Sequence, residues 1–539
     1  MEQQTKAKIL SNRYYLYLTE FFSGMSVMAV ELGASRLLAP YFSSSQIVWT
    51  IIIGTIMIAM ALGNYFGGKW ADKDPDPDRL YKRIIISAIW IAAIPFFGKI
   101  VILGVSALLV VTISTNFLIW AAFLACMIVF VYPLFLLGTV TPSLVKYTTD
   151  SLDDNGKTVG TLGAFNTIGS IIGTFAPTFI TIPAVGTAVT FLIFSGILLV
   201  LGIVYFISCK RKKLLVALSA VIFIVCCVLS TALGFAFWEK TLAYEGESVY
   251  NYLQVKETDE KTILSTNVLF GIQSVYMKHG GLTGLYYDTA MAAPLMSEGG
   301  EGSGILILGN GTGTFAKQCR AYFPNTTALG VEIDDKITEL SRSYFELDRD
   351  IEVITYDGRA YLNCLKGDES SAKKYDVIMV DAYQDITIPF QMSSVEFFTL
   401  VKQSLKPGGV MVVNMNMHSD KKGSINYALS DTICEVFDNV YTVTVRGSTN
   451  RELFASNDDT FLSRFENNIS LLSDEELKEH MNDVNSRLER CHSEGNVLTD
   501  DKAPVELLGM QVIDDLISDQ LEHYKKVFKE QGIDGLLNE

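Results

Sequence analysis

Histidine is scarce and cysteine follows no pattern. Five His residues (His279, His418, His480, His492, His523) are dispersed through 539 residues, and the eight Cys contain no Cys-x-x-Cys and no Cys/His spacing suited to zinc. Neither structural disulfides nor a metal site is expected. Positive charge is also short, with 43 Lys plus Arg against 59 Asp plus Glu. The deficit is uneven. Residues 1–240 carry 17 basic against 11 acidic residues, so the remainder carries 26 against 48, a net of −22. A body that acidic repels nucleic acid and suits a small cationic partner, although acidity also serves solubility.

Long apolar runs fill the first 240 residues and are missing from the rest, and the change falls near Trp238. A helix needs about 20 apolar residues to cross the hydrocarbon layer. Spans are read near 15–38, 46–68, 83–108, 117–141, 159–183, 187–208 and 214–237, with Pro95 and Lys99 interrupting the third. The first is too long for a cleaved signal peptide and carries Glu20 and Glu31. A multi-pass protein of the cell membrane is expected, with the lipid bilayer as one partner.

Basic residues cluster at Lys6, Lys8 and Arg13, at Lys69 to Arg83, at Lys146 and Lys157, and at Lys210-Arg-Lys-Lys213. The positive-inside rule puts all of them in the cytoplasm. About seven crossings would then carry the rest of the chain outside, whereas a nucleotide-like cofactor argues for the cytoplasm, the side preferred here. Glu20 and Glu31 are ionisable groups within a span, where charge is costly and points to function, and Arg36 is a candidate partner for Glu31. Small residues in Gly160-Thr-Leu-Gly163 and Gly169-Ser-Ile-Ile-Gly-Thr174 suit close helix packing. Gly67-Gly-Lys-Trp-Ala-Asp72 resembles the loop between the second and third helices of major facilitator transporters, which raises a substrate-handling role for this region.

The remainder reads as a doubly wound α/β domain. Gly304-Ile-Leu-Ile-Leu308 is a buried parallel strand, and Gly309-Asn-Gly-Thr-Gly313 turns from it into a helix near Thr314. Glycines there let the backbone approach a ligand. The second strand, Thr327 to Val331, closes with Glu332, 23 positions after Gly309, where a carboxylate can accept both hydroxyls of a ribose. Ile351 to Tyr356 leads to Asp357-Gly358, and Tyr375 to Val380 leads to Asp381. Carboxyl ends of parallel strands line the ligand crevice, so Asp357 and Asp381 should face the same cleft as Glu332. Asp376, at the other end of its strand, reads as a solvated residue. Lys406-Pro-Gly-Gly409 and Val410 to Val413 give a fifth strand, and Asp500, Asp501 and Glu506 precede or open a helix over 507–517.

From about Val249 to Met510 these residues resemble the spermidine synthase family of polyamine aminopropyltransferases, in the bacterial form that follows a multi-span region. The resemblance is carried by the nucleoside turn, Val331-Glu332-Ile333-Asp334, Tyr356-Asp357-Gly358, Tyr375 to Asp381, Glu396-Phe397-Phe398 with Lys406-Pro-Gly-Gly409, and Ser248 to Val255 with Gln273-Ser274. It implies a transmembrane domain over 1–240, a small β-rich segment over 241–290, a Rossmann-like S-adenosylmethionine-dependent transferase domain over 291–517 and a charged tail over 518–539.

The resemblance also implies transfer of an aminopropyl group from decarboxylated S-adenosylmethionine to an amine such as putrescine, with homodimerisation as a further expectation. Asp381 matches the catalytic aspartate. Gly309, Gly311, Thr312, Gly313 and Glu332 would hold the nucleoside, with Asp357 and Gly358 at the adenine and Gln273 at the sulfonium end. Tyr287, Asp288, Tyr383 and Asp385 are the acceptor-binding candidates. Three positions depart from the family pattern. Thr312 stands where the family has the aspartate that binds the donor's amine. Asp385 follows Asp381 after three residues, not two, and the family's His-Glu pair is missing after Tyr287. Two other readings therefore stand beside the synthase: a methyltransferase using ordinary S-adenosylmethionine, and a non-catalytic domain sensing a nucleoside or polyamine for the membrane part.

Overall fold

Helices that are apolar all round need an apolar surround, and the amino-terminal part of the chain is built from them. The computed structural model describes residues 12–42, 44–112, 116–148, 155–239, 241–268, 271–367, 374–382, 388–416, 419 and 421–512. By contacts the chain divides into two units, Met1–Glu239 and Lys240–Glu539. Among the described residues the first unit contains α1 (Arg13–Phe42), α2 (Gln46–Lys73), α3 (Pro77–Thr112), α4 (Phe117–Gly138), α5 (Val140–Thr148), α6 (Asn155–Ala176), α7 (Ile182–Ser208) and α8 (Lys213–Ala232).

Six stretches of described residues are helical, long and apolar enough to cross a membrane, and one of them, Gly156–Ser208, runs for 53 residues. At about 1.5 Å per residue that length exceeds twice a hydrocarbon thickness of about 30 Å. Gly186, at φ 79° and ψ 172°, breaks it. This one stretch therefore has room for two crossings. α3 continues through Pro95, and Lys99 is buried within it because its Nζ donates to the Leu233 carbonyl at 2.7 Å and lies 4.3 Å from the Phe235 ring centre.

Two of the small residues expected at a helix seam are found there. A Cβ on Gly169 or Gly173 would strike the carbonyls of Phe21 or Met25, so α6 presses on the backbone of α1. Gly160 and Gly163 face open space instead. Glu20 is buried, and its Oε1 accepts from Thr141 Oγ1 at 2.6 Å and Asn166 Nδ2 at 2.8 Å, joining α1, α5 and α6. Glu31 is only half-buried. The basic loops meet at one end of the bundle. Asp78 accepts from Tyr205 Oη at 2.6 Å with Arg211 and Lys212 each 3.7 Å away, and Lys146 pairs with Asp72 at 2.9 Å.

The second unit opens with an antiparallel sheet, β1 (Leu242–Glu247), β2 (Tyr252–Glu257), β3 (Lys261–Ser265) and β4 (Ser274–Met277). Two short helices follow, α9 (Tyr286–Ala290) and α10 (Ala292–Met296). The doubly wound part then alternates β5 (Gly304–Leu308), α11 (Thr314–Tyr322), β6 (Thr327–Glu332), α12 (Asp335–Tyr344), β7 (Glu352–Thr355), α13 (Gly358–Gly367), β8 (Tyr375–Val380), α14 (Val395–Ser404) and β9 (Leu405–Met415). It closes with α15 (Ile425–Cys434), β10 (Asn439–Thr444), β11 (Arg451–Ser456), α16 (Phe461–Leu471), α17 (Glu475–Ser486) and β12 (Glu489–Arg490).

The large sheet runs in the order β12-β10-β11-β9-β8-β5-β6-β7, with β5 to β9 parallel and β10 to β12 antiparallel. Its central strands are apolar on both faces because helices cover both. Ile305, Ile307, Val377, Met379 and Val412 enter one core, and Leu306, Leu308, Ile378, Val380 and Val413 the other. The small sheet packs Leu253, Val255 and Leu264 on Ile337, Leu340 and Phe345 of and beside α12. Asp376 corrects an expectation: it is buried and takes hydrogen bonds from the Gly304 N–H and Lys406 Nζ, each at 2.8 Å. The described part of the carboxy-terminal helix covers 505–512, and the tail over 518–539 lies outside the described residues.

Candidate active site

The turn after β5 is shaped by what glycine omits. Gly309 sits at φ 86°, where a Cβ would also strike the main chain of Asp381 and Ala382, 2.7 Å from the Ala382 Cα. Gly311, at φ 52°, has no room either, since its Cβ would lie 2.6 Å from Ser274 Oγ. The N–H groups of Gly309 and Asn310 both donate to the Val331 carbonyl, at 2.9 and 3.1 Å, tying the turn to β6.

The carboxylate ending β6 is held by main chain. Gly311 N–H donates to Glu332 Oε2 at 2.8 Å, and Asp334 N–H donates to Oε1 at 3.1 Å. Each oxygen keeps a second lone pair for the vicinal hydroxyls of a ribose. Burial pushes the Glu332 pKa up to about 7, although these amide bonds work the other way. Asp334 joins the two sheets of the unit. Its Oδ1 accepts from the Lys336 N–H as the cap of α12, and its Oδ2 accepts from Ser248 Oγ at 2.5 Å and Asn251 Nδ2 at 3.1 Å.

Asp357 follows β7 and caps α13, accepting from the Ala360 N–H at 2.8 Å. Asp381 ends β8. Tyr286 Oη donates to its Oδ2 at 2.6 Å and Asn414 Nδ2 to its Oδ1 at 2.9 Å, while Asn450 Nδ2 donates to Asn414 Oδ1 at 2.8 Å. Burial raises the Asp381 pKa to about 7, and the two donors pull it down. The rings of Tyr286 and Tyr287 lie 4.0 Å apart, and Tyr287 Oη donates to the Gln273 carbonyl at 2.8 Å.

Gln273, Tyr287, Gly309, Gly311, Glu332, Asp357, Gly358 and Asp381 line one cavity of about 150 Å³, with Tyr250 and Asn251 on the small-sheet side and Met392 opposite. Thr312 and Gly313 are not in its wall. Thr312 is buried, its N–H donates to Ser274 Oγ at 3.2 Å, and its own Oγ1 has no hydrogen-bond partner among the described residues. Asp288 is turned into a loop instead of the cavity, accepting from the Thr283 N–H and Oγ1 at 2.9 and 2.8 Å and from the Gly284 N–H at 2.7 Å. Tyr383 and Asp385 lie outside the described residues. Asp500 supports the site from behind: both its oxygens accept from Arg359, whose Nη1 also donates to the carbonyl of cavity-lining Gln391.

Tyr286 and Asn414 are site residues that the sequence alone does not single out. Tyr286 stands beside Tyr287, its ring against that one, and it is Tyr286 that bonds Asp381. Asn414 was legible as the first polar residue after the apolar run Val410 to Val413, at the carboxyl end of a strand. Ser274, under the glycine turn, belongs to the Gln273-Ser274 pair of the resemblance, but its contact with the turn is seen only in the structure.

A glycine turn and a main-chain-held carboxylate on one side of a cavity, and a fixed carboxylate at a neighbouring strand end, suit a transferase whose donor carries a nucleoside. Residues 285–453 match the spermine/spermidine synthase domain model. A probable polyamine aminopropyl transferase of Bifidobacterium longum is 53% identical over 352 residues, covering 62% of this chain and 77% of that protein. A polyamine aminopropyltransferase of Chromobacterium violaceum is 29% identical over 113 residues, 20% of this chain and 41% of that one. Among solved structures, a probable spermidine synthase from Corynebacterium glutamicum is 19% identical, covering 47% of this chain and 96% of its own, with a TM-score of 0.36. The chain belongs to the spermine/spermidine synthase family of polyamine aminopropyltransferases.

Proposed function

We propose that the protein is a membrane-attached aminopropyltransferase, moving the aminopropyl group of decarboxylated S-adenosylmethionine to a primary amine such as putrescine. The observation that carries this reading is Asp381, a carboxylate fixed by Tyr286 and Asn414 on the same cavity as the glycine turn and Glu332. An acceptor ammonium has no lone pair. Asp381 accepts its proton, the freed nitrogen forms a bond to the donor's methylene carbon, and the carbon–sulfur bond breaks to leave neutral methylthioadenosine. Glu332 holds the ribose and Asp357 lies at the adenine end.

Thr312 favours a second reading. A threonine with an unpartnered hydroxyl, where the family places an aspartate for the donor's amine, removes one preference for the decarboxylated donor and leaves ordinary S-adenosylmethionine as a candidate. The full-length protein incubated with each labelled donor and a panel of amines decides between them. Aminopropyl transfer with release of methylthioadenosine supports the first, methyl transfer the second, and ligand binding without turnover a sensing role.

Membrane attachment rests on the six long apolar helical stretches of the first unit. Sidedness is tested by single cysteines in place of the exposed Lys73 and Asp259 in a cysteine-free background, probed on intact cells with an impermeant maleimide. Labelling at neither supports the cytoplasmic placement of both, and labelling at residue 259 alone puts the second unit outside.

A further inference from the structure

The registers of the large sheet place four residues in one row across its carboxyl ends. Leu308 pairs with Val380 and Val380 with Val413, so the next residues, Gly309, Asp381 and Asn414, stand side by side, and Asn414 is paired with Glu452 of β11. The Asn414 to Asp381 hydrogen bond confirms that side chains of this row share a face. Glu452 has 0% of its surface exposed, and neither carboxyl oxygen has a hydrogen-bond partner among the described residues. Asn414 stands opposite it on β9, Val443 is its neighbour on β10, Phe454 shares its face two residues along, and α9 packs on β11.

An ionised carboxylate costs several kcal/mol to bury unpaired, and a leucine would fill such a place without that cost. The site's own logic supplies what the carboxyl lacks. The donor nucleoside occupies the Gly309 and Glu332 end of the row, and the reacting nitrogen meets Asp381, so the rest of the acceptor extends to the other side, over β9 toward β11. Strands are about 4.8 Å apart, which puts the Glu452 backbone about 10 Å from that of Asp381, and their side chains within the span of a short diamine.

We propose that Glu452 is the carboxylate that receives the acceptor's remote ammonium group, so that Asp381 and Glu452 together select a diamine or longer polyamine over a monoamine. Asn414, bonded to Asp381 and facing Glu452 across the ladder, keeps the two carboxyls apart and oriented. The site takes a primary or secondary alkylammonium cation, and its selectivity is for the second charge. This deepens the transferase reading and rests on it for the placement of the reacting nitrogen.

The test is calorimetry on the full-length protein saturated with methylthioadenosine, titrated with 1,4-diaminobutane and with 1-aminobutane, for the wild type, Glu452→Gln and Glu452→Asp. The expected result is at least a tenfold loss of diamine affinity in Glu452→Gln, partial recovery in Glu452→Asp, an unchanged monoamine response and an unchanged methylthioadenosine affinity. A purely structural Glu452 would change melting temperature and both amines alike, and that outcome overturns the proposal. So does equal diamine affinity in wild type and Glu452→Gln, or a wild type that binds methylthioadenosine and no diamine. A wild type that binds the diamine through Glu452 but turns over no donor overturns the transferase reading and leaves the cation site standing.

Discussion

The two ends of the cavity hold their carboxyls by different means. Glu332 is fixed by main-chain N–H groups from Gly311 and Asp334, while Asp381 is fixed by the side chains of Tyr286 and Asn414. Main-chain donors come with the turn, and any sequence that keeps the glycines keeps them. Side-chain donors are each one substitution from loss. On the proposed function, the nucleoside end is therefore held by the backbone of the fold, and the acceptor end by individual side chains.

Turnover is where the difference should be greatest. Asp381→Asn keeps the shape and removes the base, so transfer should fall by about 10²- to 10⁴-fold, while methylthioadenosine affinity stays within about twofold. Turnover that survives would dissolve the distinction between the two ends. Glu332→Ala should do the reverse, weakening methylthioadenosine by at least about tenfold in calorimetry through loss of two charge-assisted hydrogen bonds. Unchanged affinity would remove Glu332 from the site.

Acidity separates the ends more finely. Burial raises Glu332 and Asp381 to about 7, from 4.5 and 3.8. Between these values the native state binds more protons than the unfolded chain, so stability falls as pH rises through roughly 4 to 7. Asp381→Asn should accordingly be more stable than the wild type at pH 8, by about 1–3 kcal/mol, and not at pH 4, as read from melting temperatures. Transfer by the wild type should rise with pH around 7, as Asp381 loses its proton. The smallest effect belongs to Asp288→Ala, which removes hydrogen bonds to a loop and should cost about 1–2 kcal/mol of stability with no change in affinity for either ligand. A loss of diamine affinity there would move Asp288 into the acceptor end.

What the sequence revealed follows the same division. Gly309, Gly311, Glu332, Asp357 and Asp381 were legible because strand, glycine turn and acid recur at fixed spacing along one chain segment. Tyr286 and Glu452 were not, and Asn414 showed only as the polar end of an apolar run, because they sit on separate elements brought together by the fold, and β9 lies beside β11 only through a crossover that periodicity does not encode. Asp288 misled for a related reason: a carboxylate beside a site tyrosine reads as a ligand until the loop that uses it is seen. In the first unit, the apolar lengths of the helices could be read directly, whereas the partners of Glu20 on α5 and α6 could not.

Asp334 carries one more consequence. Its carboxyl stitches Ser248 and Asn251 of the small-sheet segment to the head of α12, while its amide steadies Glu332. Tyr250, Asn251 and Glu332 all line the cavity, so in the proposed reaction the spent nucleoside lies beside that stitch. Its escape would then need the small-sheet segment and the head of α12 to part as well as its own contacts with Glu332 to break. Product exit would set the pace of the cycle, marked by a burst of methylthioadenosine in the first turnover.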